Sequence, residues 1–148
     1  AAHASARIRY FRLAFGLAST TQVMSVSDIT DILRDVYSGA VRLDWQVTEP
    51  LARPVAQAAV LGLMCAEQAI PHGGTLHISG LPGALVIQAT GQRLNPNAAH
   101  WSLLIGSPDN ATDVPPAQVQ FALLPVLLQE LGRVAQVTLN EGVVTLRF

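Results

Sequence analysis

The sequence predicts an α+β domain in which helices cover one face of a mixed sheet, fronted by a separate amphipathic helix. Three observations carry this reading. Segments of helical period and segments of period two are interleaved, with helices first and strands last. Val41-Arg42-Leu43-Asp44-Trp45-Gln46-Val47 alternates apolar and polar residues without a break, as a half-buried strand does. Asn140-Glu141-Gly142 separates two runs of strand-forming residues, so the chain ends on a β-hairpin.

Taken in order, Ala1 to Phe15 reads as a helix closed by Gly16. Ala4, Ile8, Phe11 and Phe15 recur at helical spacing and form one apolar stripe. Ser5, Arg9 and Arg12 repeat the same spacing as a polar, basic stripe on another face. This helix is poorly placed to join the core behind it and is expected to project, its apolar stripe needing a partner outside the chain.

After a loop rich in Ser and Thr, Ser27 is the expected N-cap of a short helix from Asp28 to Tyr37, with Ile29, Ile32, Leu33 and Val36 on its buried side. The alternating strand follows. Pro54 sits near the first turn of a longer helix that reaches about Ile70, rich in Ala and with Gly62 inside. Small residues there let a helix lie close to a sheet, despite the ~1 kcal/mol that an interior Gly costs. Pro71-His72-Gly73-Gly74 stops it.

Thr75 to Ser79 and Ala84 to Thr90 read as strands joined through Gly80-Leu81-Pro82-Gly83. Asn97 to Ile105 is expected as a short helix and Ser107 to Pro116 as an exposed loop. Ala117 to Leu131 is expected as a helix closed by Gly132 and kinked or weakened at Pro125. Val134 to Leu139 and Val143 to Arg147 complete the hairpin.

Composition narrows the function. Half of the 148 residues are hydrophobic and 13% are charged, against about 25% charged in an average soluble chain. Such a chain has a large buried fraction or uses apolar surface for association. A net charge of -1 argues against a nucleic-acid binder, which needs a basic face. No run approaches the ~20 apolar residues of a membrane span, and the first residues do not show the basic-then-apolar pattern expected of a signal peptide. Cys65, the single cysteine, sits among apolar residues, so a buried inert thiol and a reducing cytoplasm are expected. The chain opens Ala-Ala-His, as if already inside a helix, and an upstream segment is expected.

No catalytic constellation is present: no Gly-Lys-Ser/Thr phosphate loop, no Gly-x-Ser-x-Gly elbow, no His-Glu-x-x-His. The four histidines lack metal-ligand spacing. His72, His77 and His100 are expected in surface or hydrogen-bonded structural roles. His3 lies on the first helix without an acid beside it to orient its ring. No cofactor and no metal are expected.

Two stretches carry a family resemblance. Residues 6 to 16, Ala-Arg-Ile-Arg-Tyr-Phe-Arg-Leu-Ala-Phe-Gly, resemble the second bundle helix of histidine phosphotransferases of the ChpT family. Residues 66 to 76, Ala-Glu-Gln-Ala-Ile-Pro-His-Gly-Gly-Thr-Leu, resemble that family's next landmark, a helix ending at Pro-x-Gly-Gly. The resemblance implies two domains: residues 1–19 as the second helix of a dimerisation and phosphotransfer bundle, and 20–148 as a degenerate kinase ATPase-like α/β sandwich. It also implies a phosphorelay role, in which phosphate passes from the receiver domain of a hybrid kinase to a histidine and then to a response regulator. In alphaproteobacteria that regulator is typically a cell-cycle transcription factor.

The residues speak independently for loss of ATP binding. The helix from Pro54 has no asparagine to hold Mg²⁺ and phosphates, and Gln68 stands near where one belongs. In Ala89-Thr90-Gly91-Gln92-Arg93, Ala89 replaces the adenine-reading acid and Arg93 the second glycine. The family's phosphoacceptor histidine belongs on a first bundle helix preceding Ala1. No His-Asp or His-Glu pair occurs in this chain, so no residue of it takes that role. What the resemblance implies for these residues is a receiver-docking surface at Ser5, Arg9 and Arg12. It also implies a homodimer interface at Ala4, Ile8, Phe11 and Phe15 in a four-helix bundle. The alternative is a noncatalytic dimerisation or adaptor module that binds receivers without transferring phosphate.

Overall fold

The structure is a computed structural model that describes residues 2–16, 22–106 and 114–148, with the side chains of the first helix described from Ser5 onward. Its helices are α1 (Ala2–Phe15), α2 (Val26–Val36), α3 (Arg53–Glu67), α4 (Ala98–Leu103) and α5 (Val119–Glu130). Its strands are β1 (Val23–Met24), β2 (Val41–Trp45), β3 (Leu51–Ala52), β4 (Gly74–Leu81), β5 (Ala84–Thr90), β6 (Gln136–Asn140) and β7 (Val143–Arg147). Most of the expected exposed loop from Ser107 lies outside the described residues.

The main sheet runs β2-β4-β5-β7-β6. β2 and β4 are parallel, and every other pair is antiparallel, so the sheet is mixed as expected. A parallel pair requires a crossover, and α3 supplies it. Leu76, Ile78, Leu85, Ile87, Ala89, Val144 and Leu146 form the buried face under the helices. The alternate residues, among them Thr75, His77, Gln88, Thr90 and Thr145, make the other face polar.

Gly62 shows how closely α3 lies on that sheet. A Cβ at this position would come within 2.6 Å of Ile87 Cδ1 and 3.1 Å of Phe148 Cε2. Pro125 is buried inside α5, and the helix continues past it from Val119 to Glu130.

Three expectations need correction. Ser25, not Ser27, caps α2: its Oγ accepts from the backbone N–H of Asp28 at 3.1 Å, which places the cap two residues earlier. A small antiparallel pair, β1 with β3, was not foreseen, because two-residue strands carry no periodicity to read. Most consequentially, α1 does not project.

Ala6, Tyr10, Leu13 and Ala14 of α1 are buried in the common core, packed on α2 and α3. This face has helical spacing too, but its two alanines and one tyrosine look weaker than the Ile and Phe of the outer stripe. The C-terminal end of α1 is tied down by Gln57 of α3, whose Nε2 donates to the carbonyls of Ala14 at 3.0 Å and Gly16 at 2.8 Å. Those carbonyls are among the groups a helix end leaves without partners.

In the same interface Tyr37 donates to Oε2 of Glu67. Burial holds the Glu67 carboxyl above its ordinary 4.5, with the Tyr37 bond pulling the other way. The folded state therefore binds more protons than the unfolded one just above that value, and stability falls as pH rises through this window. Glu67→Gln removes the slope. The variant should gain on wild type as pH rises through and above about 4.5, as urea midpoints across that window would show.

Candidate functional site

The outward half of α1 carries an exposed apolar stripe beside a basic one. Ile8, Phe11 and Phe15 are 52%, 42% and 40% exposed. The rings of Phe11 and Phe15 stack at 6.1 Å, and Phe11 also meets the ring of Tyr10 at 5.6 Å. Ser5, Arg9 and Arg12 are exposed as well. The side chain of Ala4 lies outside the described residues.

At about 100° per residue, the Ile8-Phe11-Phe15 stripe and the Ser5-Arg9-Arg12 stripe lie side by side, roughly a quarter turn apart. The buried Ala6-Tyr10-Leu13-Ala14 face lies opposite both. A helix fixed on one side thus presents an apolar and a basic strip together on the other. At the Phe15 end the apolar strip runs into an open groove of about 460 Å³ between α1, α3 and α5, lined by Pro54, Leu61, Leu123, Val126 and Leu131. The α5 residues of this groove were not legible in sequence, because α5 is apolar nearly all round and shows no single face.

The segment around Ala89 and Gly91, expected from the resemblance to lack nucleotide-binding residues, is closely packed. Ala89 is fully buried under the helices and brings no carboxylate. The turn after it lies directly on the Pro-x-Gly-Gly turn: a Cβ on Gly91 would meet the Gly73 carbonyl at 3.0 Å and Ile70 Cγ2 at 3.2 Å. Asn95 then donates its backbone N–H to the Ala69 carbonyl at 2.8 Å. Trp101 of α4 is buried edge-on against Phe121 at 5.7 Å, with Leu104 in the same core. Gln68 is exposed and accepts from Gln118 Nε2 at 3.4 Å. An open polar cleft of about 580 Å³ remains beside the turn, with His72 and Arg93 as its ionisable groups.

The remaining candidates have structural partners. His77 uses both ring nitrogens, Nδ1 with Asp44 Oδ2 at 3.2 Å and Nε2 with Thr90 Oγ1 at 3.3 Å. The hydrogen bond from Gln46, and then that from His77, hold the Asp44 carboxyl below its ordinary value. His100 packs its ring on Phe121. Cys65 is fully buried, and burial pushes its thiol well above the ordinary value, as expected of an inert cysteine. Among the described residues no group of three or more His, Cys, Asp or Glu could hold a metal ion, and no helix is long and apolar enough to cross a membrane.

Comparison with solved structures places this architecture. The chain is similar to a bacterial phosphotransferase, with a TM-score of 0.80 at 22% identity over 99% of this chain and 73% of that one. It is also similar to the histidine kinase AdeS of Acinetobacter baumannii (TM-score 0.55, 13% identity, 99% of this chain and 75% of that one). A third similar structure is the histidine kinase domain of the blue-light activated kinase EL346 of Erythrobacter litoralis (TM-score 0.55, 15% identity, 100% and 79%). No match was found among curated proteins. The sequence profile of the histidine phosphotransferase C-terminal domain matches residues 26–142, from the start of α2 to the turn of the final hairpin. The chain belongs to the histidine phosphotransferase family, and residues 26–142 match the C-terminal domain of that family.

Proposed function

We propose that this protein is the phosphotransferase of a bacterial phosphorelay, passing phosphate in the cytoplasm between the receiver domain of a hybrid kinase and a response regulator. The observation that carries the reading is the outward half of α1, where an apolar strip and a basic strip stand side by side on a helix anchored from behind. Ile8, Phe11 and Phe15, with Ala4, would form the seam of a four-helix bundle between two protomers. Ser5, Arg9 and Arg12 would face the acidic pocket of a receiver. In that arrangement a preceding bundle helix carries the phosphoacceptor histidine. Its imidazole attacks the aspartyl phosphate, a P–N bond forms as the P–O bond breaks, and the receiver carboxylate leaves. The role of this chain is to hold that geometry, which is where positioning contributes most to such a reaction.

The test is transfer of radiolabelled phosphate from a phosphorylated receiver to the complete protein. Label on the protein supports the reading. Receiver binding without label would replace it with the adaptor role. The double variant Arg9→Ala/Arg12→Ala should fold normally, since both residues are exposed. It should associate with the receiver about tenfold more slowly at low salt, because steering by exposed charges acts on the association rate. Equal rates measured by stopped flow would remove the two arginines from the docking surface.

A further inference from the structure

Three helices meet at one polar chain, buried at its two tyrosines and half-buried at its carboxylate end. The hydroxyl of Tyr10 on α1 lies 2.5 Å from that of Tyr37, the residue that ends α2, and Tyr37 donates to Oε2 of Glu67 on α3 at 3.3 Å. A tyrosine has a single proton to give. That of Tyr37 goes to Glu67, so Tyr10 must be the donor between the two rings, and the chain runs in one direction from α1 to α3. The two tyrosines are 2% and 6% exposed, so water is a poor substitute for either partner.

The apolar contacts around this chain do not fix direction. Hydrophobic burial is non-directional, and Ala6 and Ala14 offer small, smooth surfaces over which a helix can rotate. Hydrogen bonds demand a geometry. One set is already present at the C-terminal end of α1, where Gln57 holds the carbonyls of Ala14 and Gly16. Gln57 and Glu67 lie on the same helix, α3, about 15 Å apart along its axis at 1.5 Å per residue. A single polar anchor is a pivot; two anchors at this separation define an angle.

We infer that the Tyr10–Tyr37–Glu67 chain is a positioning device, setting the angle at which α1 presents its Ile8-Phe11-Phe15 and Ser5-Arg9-Arg12 strips. Its functional consequence rests on the reading of that face as the docking surface, but the device itself can be tested without a receiver or phosphate.

The members of the chain are not equivalent. Tyr10→Phe removes the first donor and leaves the Tyr37–Glu67 bond in place. Tyr37→Phe strands the buried Tyr10 hydroxyl and takes the donor from the half-buried Glu67 carboxylate, and a buried polar group without a partner costs more than a lost bond. Glu67→Gln keeps an acceptor. Amide hydrogen exchange on the full chain reads these differences. The α1 amides should exchange about fivefold faster in Tyr10→Phe, the factor that one net hydrogen bond represents, and faster still in Tyr37→Phe. Glu67→Gln should leave them near wild type. In the two tyrosine variants the α1 amides should be accelerated more than those of β4 and β5.

Uniform acceleration of α1 and the sheet together would mean a contribution to global stability alone and would overturn the inference. Unchanged α1 rates in both tyrosine variants would overturn it as well. Spin labels at Arg9→Cys and Thr138→Cys, with buried Cys65 inaccessible to the reagent, read the angle directly. The distance distribution should be narrow without further change and broadened by Tyr37→Phe; an equally narrow distribution there would sink the proposal. Failure of phosphotransfer with these results intact would leave the device standing and remove only its proposed use.

Discussion

Gly74→Ala is expected to destabilise the domain by about 3–5 kcal/mol, a cost that only exceptional substitutions reach and a large share of the ~5–15 kcal/mol that holds a domain folded. Gly74 opens β4 with φ at 149°, where its backbone N–H donates to the Ala40 carbonyl at 3.0 Å. It is wedged between the start of β2 and the end of β5. A Cβ there would overlap the Thr90 carbonyl oxygen and stand 3.2 Å from the Gly91 Cα.

Every atom in the way belongs to backbone, so no side chain can swing aside, and relief requires parting β4 from β5 at the centre of the sheet. Gly73 is constrained in the same manner, with φ at 98° and the Ala40 carbonyl oxygen 2.8 Å from where its Cβ would be. The Gly-Gly of the Pro-x-Gly-Gly landmark is therefore demanded by the close passage of three chain segments. At Gly39 and Gly83 an added methyl would meet nothing within 4 Å, and the backbone angles are ordinary, so alanine there should shift stability by no more than about 0.5 kcal/mol. Urea midpoints of the three single variants provide the comparison. A Gly74→Ala midpoint close to that of Gly39→Ala would refute the close-approach account.

The same contrast between local and distant causes explains what could be read from sequence. The outward strips of α1 were legible because they depend only on helical spacing and side-chain chemistry. The inward face was not, because what buries Ala6, Tyr10, Leu13 and Ala14 arrives from α2 and α3. The hydrogen bond that gives Tyr10 its meaning comes from Tyr37, and those that hold the helix end come from Gln57. β2, β5 and the terminal hairpin announced themselves by period-two alternation and turn residues. Their order across the sheet did not, since pairing β7 beside β5 is settled by the shared apolar face of Val144, Leu146, Ile87 and Ala89 rather than by any local pattern. Ala89 was legible as a small residue on a strand; the packing of Trp101 on Phe121 was not, because those side chains come from separate segments of the sequence.

Phe11→Asp should convert the proposed dimer of the complete protein into a monomer that melts at nearly the wild-type temperature. Phe11 is 42% exposed on the single chain, and its ring contacts are to Tyr10 and Phe15 on the same helix. A carboxylate there remains in water, so folding is little affected. In a two-fold bundle the same position is brought against its copy, and each protomer would bury an unpaired charge at a cost of several kcal/mol per ion. At about 1.4 kcal/mol for each tenfold, association should weaken by at least about a thousandfold. Sedimentation measures the assembly and calorimetry the melting. A variant that dimerises as tightly as wild type would remove the Ile8-Phe11-Phe15 strip from the seam. Because the basic strip lies roughly a quarter turn away, Arg9→Ala/Arg12→Ala should leave the dimer intact while slowing receiver association, and Phe11→Asp should do the reverse to assembly. If either variant produced both defects, one surface would be serving one partner, and the division of α1 into a seam and a docking edge would have to be abandoned.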